Sequence, residues 1–195
     1  MPTPYYQNTP LVAGEFYHFF NRANSQTDKL FYQERNYRYF LRLWTHYMDR
    51  HFEVWSYCLI PNHFHFLVRV REVDLPCPAI ESWRRLAISY TQAINKQENR
   101  RGSLFQEHPK YLLVSTDAHL MSLVRYIHNN PLHHGLTEQL ETWHYSSYSA
   151  FFSSTPSRVK CAEVIALFGS IAAFKAFHQQ KNDFNQDINY CLIDV

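Results

Sequence analysis

Two histidines flank one phenylalanine at His63-Phe64-His65, inside the apolar run PNHFHFLVRV at residues 61 to 70. Side chains alternate across a strand, so Phe64, Phe66, Val68 and Val70 share one face and His63, His65, Leu67 and Arg69 the other. The phenylalanine set suits a packed core. The two imidazoles then point together from the opposite face, close enough to bind one cation. Two ligands are too few for a tight site, and such pairs also occur on strands that bind nothing.

A second group of residues lies on the helical pattern 117 to 130. At about 100° per residue, Leu120, Leu123, Val124 and Ile127 form one apolar stripe. Tyr126 lies on the flank of that stripe, with Asn130 about 40° from it on the same flank. His119 falls there too, while Arg125 points roughly away, toward solvent or a phosphate. A phenol and a hard oxygen ligand are thus presented one turn apart. Joined to the His63/His65 face, they would suit Mg²⁺ or Mn²⁺, which keep water or phosphate oxygens as further ligands. Ordinary amphipathic packing accounts for Tyr126 on the helix alone, and Asn130 is also a common kind of residue ahead of a proline.

The elements that must position these residues follow from periodicity and turn signals. Strands are expected at 14 to 22, 52 to 61 and 62 to 70, with a short one around 111 to 114. Helical patterns run over 33 to 51 and over 79 to 101, the latter closed by Gly102. A third covers 116 to 130, capped by Thr116 or Asp117 and stopped by Pro131. Residues 135 to 152 read as loop with aromatic packing, and 162 to 180 as one or two short amphipathic helices. The order is βαββαβ, an α+β ferredoxin-like sandwich. Its antiparallel sheet has helices on one face plus an added tyrosine-bearing helix, and its other face is free for a ligand.

Composition sets the outer bounds. The 195 residues are 46% hydrophobic, enough for one well-packed domain. Only 4 glycines argue against a glycine-rich nucleotide-binding fold. A net charge of +2 permits nucleic-acid binding without demanding it. Cys58, Cys77, Cys161 and Cys191 are widely separated, as expected of isolated thiols in a reducing cytoplasm. No apolar run approaches a membrane span, and MPTPYYQNTP reads as neither signal nor transit peptide. Arg84, Arg85, Lys96, Arg100, Arg101, Lys110 and Arg125, interleaved with Trp83, Tyr90 and Phe105, could track a nucleic-acid backbone and stack its bases. For any one of them the plainer reading is a solvated helix face.

His63-Phe64-His65 after CLIPN resembles the His-hydrophobe-His motif of single-tyrosine transposases. RYIHNNPLHHGL resembles the tyrosine-bearing helix of the REP-associated tyrosine transposases, and YHFFNRANSQTDKLFY, GSLFQEHPK and WHYSSYSAF look like further segments of that family. The resemblance runs from about residue 16 to 152. It implies a catalytic domain over 1 to 152 and a C-terminal helical extension over 153 to 195. Tyr126 matches the nucleophile, His63 and His65 the metal pair, and Asn130 the third ligand, with His119, His128 and Asn129 close by. The implied activity is cleavage and transfer of single-stranded or hairpin DNA through a 5′-phosphotyrosine, with Mg²⁺ or Mn²⁺. Arg84, Arg85, Arg100, Arg101, Lys110 and Arg125 are the candidate DNA contacts. The implied setting is a bacterial-type cytoplasm, on the nucleoid when bound, as a monomer or homodimer. Two other readings stay open: a catalytically inactive nucleic-acid-binding module, and a metal-dependent hydrolase that uses water.

Overall fold

The computed structural model describes residues 10–24, 29–72, 78–106 and 108–180. Cys77 and Cys191 fall outside them, as do parts of the 17-to-32 and 102-to-110 segments named above and the last fifteen residues of the expected extension. Cys58 and Cys161 are free thiols.

The elements run β1 (Phe16–Arg22), α1 (Glu34–Tyr47), β2 (Phe52–Ile60), β3 (His63–Val70), α2 (Ala79–Gln97), β4 (Lys110–Val114) and α3 (Asp117–His133). Short 3-10 turns at Leu140–Thr142 and Tyr148–Phe152 lead to α4 (Cys161–Phe168) and α5 (Ile171–Gln179). The sheet order is β2-β3-β1-β4 with every neighbouring pair antiparallel. That is the arrangement expected of a βαββαβ chain.

Aromatic packing builds the layer under α1 and α2. Trp44 of α1 stacks on Phe66 at 3.7 Å between ring centroids, and Phe40 and Trp83 close over Phe64. Trp83, Tyr90 and Phe105 are all buried in this layer, which removes them from the base-stacking role suggested by their sequence neighbours.

The other face of the sheet is not free. α3 packs across β2 and β3, and α4 and α5 pack on α3. Both faces of the central strands are therefore covered, which is why β3 reads as an almost unbroken apolar run. The outer edge of β2 is also occupied. Tyr145 O accepts from Leu59 N, Ser147 N donates to Tyr57 O, and Lys160 N donates to Val54 O, each at 2.9 Å. A sheet edge covered in this way offers no template for a foreign strand.

Two helix ends differ from the sequence expectation. α3 does not stop at Pro131 but runs through it to His133. Proline's fixed φ is helical, and in the last turn only one hydrogen bond is lost. The stop is Gly135 at φ +63°, where Leu136 N donates to Pro131 O and Gly135 N to Leu132 O. Likewise α2 ends before Gly102. Asn99 takes the left-handed conformation at φ +50°, and Arg100 N donates to Asn95 O. Asparagine tolerates that region better than most side chains.

Among the described residues no single helix is long and apolar enough to cross a membrane.

Candidate active site

β3 carries His63 and His65, with Arg22 and Phe20 of β1 as their cross-strand neighbours on one side and Ile60 and Cys58 of β2 on the other. Both imidazoles face α3, and both are buried. Thr116 starts α3 by accepting a hydrogen bond on Oγ1 from His119 N at 3.2 Å. Its Leu120, Leu123, Val124 and Ile127 stripe is buried as the periodicity predicts.

This seating brings Asn130 between the two imidazoles. Its Oδ1 lies 3.1 Å from His63 Nε2 and its Nδ2 lies 3.4 Å from His65 Nε2. Tyr126 sits one turn earlier, with its ring edge-on to His65 at 5.4 Å between centroids. All four side chains are 2% exposed or less. A single chain thus assembles the four residues that the sequence separates by more than sixty positions.

The outer nitrogens of the imidazoles are held from behind. His63 Nδ1 donates to Asn62 Oδ1 at 2.9 Å, an oxygen that can only accept. His65 Nδ1 meets His18 Nε2 at 2.9 Å. Both Nε2 atoms are left turned toward Asn130. Metal-binding histidines show this same pattern of an outer N–H engaged by a fixed partner.

Burial, reinforced by the neighbouring imidazoles, holds His63 and His65 well below the usual histidine range. His18 is pushed down to about 3, mainly by burial and then by His119. All three are neutral at neutral pH, the state in which an imidazole can donate a lone pair to a cation. In that state His63 Nε2 and Asn130 Oδ1 are two acceptors facing each other. A cation between them, or a turned-over Asn130 amide, resolves the conflict. Only the cation uses the oxygen and both Nε2 lone pairs together.

Ligands about 2.1 Å from one octahedral cation and at right angles to each other lie about 3 Å apart. The 3.1 Å between His63 Nε2 and Asn130 Oδ1 is of that size, the spacing that a hard divalent ion held by both would need. Among the described residues no group of three or more His, Cys, Asp or Glu side chains is placed to hold a metal. The donors that the site could offer a cation are two imidazoles and an amide oxygen, and three ligands would leave further coordination positions open.

Of the other candidates for the third ligand, His128 turns away to α5 and donates to His178 Nε2 at 2.9 Å.

The basic residues fall in different places. Lys110 of β4 lies across from Phe20, on the α3 face, and partial burial and Arg22 lower its pKa. Arg84 and Arg85 sit on α2, in the opposite layer, both paired to Glu81 at 2.7 and 3.2 Å. Arg100 and Arg101 follow the end of α2, and Arg101 is exposed. Arg125 does not point to solvent. It is buried, and its guanidinium lies 5.1 Å from the centre of the Phe177 ring of α5. A helical wheel gives the side on which Arg125 lies but not what covers it.

Sequence reasoning missed His18. Its signal was the alternation His18, Phe20, Arg22 in YHFFNR, which puts the histidine on one face with Arg22. Matching it to His65 needs the β1–β3 register, in which Phe20 faces His65 and His18 faces Leu67.

No family model matches the chain. A curated relative, a putative REP-associated tyrosine transposase of Haemophilus influenzae, is 29% identical over 104 residues, which is 50% of this chain and 59% of that protein. The match thus spans less than two thirds of the relative's length. A solved structure, a REP-associated tyrosine transposase bound to a REP hairpin, superposes with a TM-score of 0.59 at 18% identity over 80% of this chain and 88% of that one. In sequence over half the chain and in fold over four fifths of it, the resemblance to the REP-associated tyrosine transposases is borne out.

Proposed function

We propose that the chain is a metal-dependent single-stranded DNA nuclease and strand transferase of the transposase type, cutting beside hairpins with Tyr126 as nucleophile. The observation that carries this reading is the seating of α3, which sets Tyr126 and Asn130 against His63 and His65 within one chain. The hairpin in the solved neighbour and the name of the curated relative favour the same class of substrate.

His63 Nε2, His65 Nε2 and Asn130 Oδ1 would hold Mg²⁺ or Mn²⁺. When bound, the ion supplies positive charge at a non-bridging oxygen of the scissile phosphate. Asn62 and His18 keep the imidazole nitrogens aimed inward. The Tyr126 phenol oxygen attacks phosphorus in line and gives up its proton. The bond to the 3′ oxygen breaks, and that oxygen leaves as a hydroxyl. The product is a 5′-phosphotyrosine, which keeps the phosphodiester's free energy for rejoining, so strand transfer needs no nucleotide cofactor. Lys110 and Arg22 lie on the sheet face of the site and are the cations best placed for flanking phosphates. The nearness of Tyr126 to His65 within one chain supports a tyrosine that acts in cis.

The test uses hairpin DNA labelled at either end, with Mg²⁺ or Mn²⁺. The expected result is a denaturation-resistant complex carrying only the 3′-side fragment. Tyr126→Phe should retain hairpin binding and form no complex. Cleavage by Tyr126→Phe would replace this reading with a water-using hydrolase. Binding without cleavage by the wild type, across a broad hairpin library, would replace it with a binding module.

A further inference from the structure

α5 lies beyond residues 16 to 152, over which the sequence motifs resemble the transposases, yet it reaches the helix that carries Tyr126. His178 of α5 and His128 of α3 are both buried in an aromatic cluster with Tyr148, Phe151 and Phe174. Polar rings are costly in such a place unless each nitrogen is satisfied. Here each one is, and the hydrogen-bond directions are fixed from the ends. Phe174 O can only accept, so His178 Nδ1 donates to it at 2.8 Å. His178 Nε2 must then accept, from His128 Nδ1 at 2.9 Å. His128 Nε2 in turn accepts from Ser147 Oγ at 2.8 Å, and Ser147 Oγ accepts from Tyr57 N of β2 at 2.9 Å.

The line therefore runs from α5 through α3 to β2, the strand hydrogen-bonded to the one that bears His63 and His65. His128 stands between Tyr126 and Asn130 in sequence but about 160° around the helix from either. α3 is thus fixed from its far side as well as by its apolar stripe. The lever is sensitive. Side-chain tips lie about 6 Å from a helix axis, so a rotation of about 10° moves them by about 1 Å. A misplacement of that size can cost about 100-fold in rate.

We propose that His178 is a positioning residue for the Tyr126 reaction, acting through His128 to fix the rotation of α3. This rests on the function proposed above. The experiment compares wild type, His178→Phe and His178→Gln in single-turnover adduct formation, hairpin affinity and thermal melting. Phenylalanine keeps the ring volume but gives His128 Nδ1 no acceptor, whereas the glutamine carbonyl can accept. The expected result is an adduct rate lowered at least about tenfold in His178→Phe with hairpin affinity unchanged, and recovery of most of that rate in His178→Gln.

Should His178→Phe fail to fold, Ser147→Ala removes the donor at the other end of the line and is read the same way. An unchanged rate in a folded His178→Phe, or an equal loss in both His178 variants, overturns the inference. Absence of adduct from the wild type overturns the function itself, and is distinguished by that.

Discussion

His65 owes its orientation to a residue that no local motif marks. His18 Nε2 sits 2.9 Å from His65 Nδ1 in a fully buried contact; in the tautomer with the proton on Nδ1, that nitrogen donates to His18 and Nε2 is left to bind. Removing a partner of this kind typically costs 10- to 100-fold in metal affinity. His18→Phe, which keeps the ring volume, should therefore weaken Mn²⁺ binding by about that factor in calorimetry. Undiminished affinity would show that His65 is held by packing alone. The residues differ in how legible they were for a physical reason. The HFH pair and the Tyr126/Asn130 pair each lie on one element, where a period of 2 or about 3.6 decides which side chains share a face. His18 and the burial of Arg125 depend on which elements meet, and periodicity carries nothing about that.

At the scale of elements, α3 matters most, and its C-terminus shows where local signals mislead. Pro131 looked like the stop, but its φ fits a last turn and the helix passes through it to His133. Gly135 does the stopping, at φ +63°, and this leaves His134 as the cap with its ring 4.9 Å from that of His63. An added Cβ at Gly135 would meet nothing within 4 Å, so Gly135→Ala carries a purely conformational penalty. That penalty should be about 1 kcal/mol, read as a lower denaturant midpoint at unchanged slope. Asparagine at the same position should recover part of it, as Asn99 does at the end of α2. Equal stability of Gly135→Ala and wild type would mean that the last turn is frayed and does not hold His134 at the site. The strands and the first two helices were legible because aromatic and β-branched runs mark them. The covering of the second sheet face was not, because α3 has the same amphipathic pattern whether it packs on that face or elsewhere.

Taken whole, the molecule places polar rings in dry surroundings on the α3 side of the sheet, and this ties its stability to pH. His178 shows the effect most simply, since burial brings its pKa down to about 4. In the unfolded chain the same imidazole titrates near its ordinary value of about 6.5. Between those values the unfolded state binds a proton that the folded state refuses, so stability falls as pH is lowered. The contribution is complete above about pH 6.5 and is lost progressively toward pH 4. Integrated from pH 7.5 to pH 5, one such group removes about 2 kcal/mol, a sizeable share of a domain's total stability. Burial lowers the pKa of His51 and His128 as well, which adds loss of the same sign. Urea melts of wild type at pH 7.5, 6 and 5 should therefore show a falling midpoint. His178→Gln carries no titrating ring, so its drop over that range should be smaller by about 2 kcal/mol. Parallel pH profiles for the two proteins would place a charged, solvated His178 in the fold, and the hydrogen-bonded line from α5 to β2 could not then exist as described.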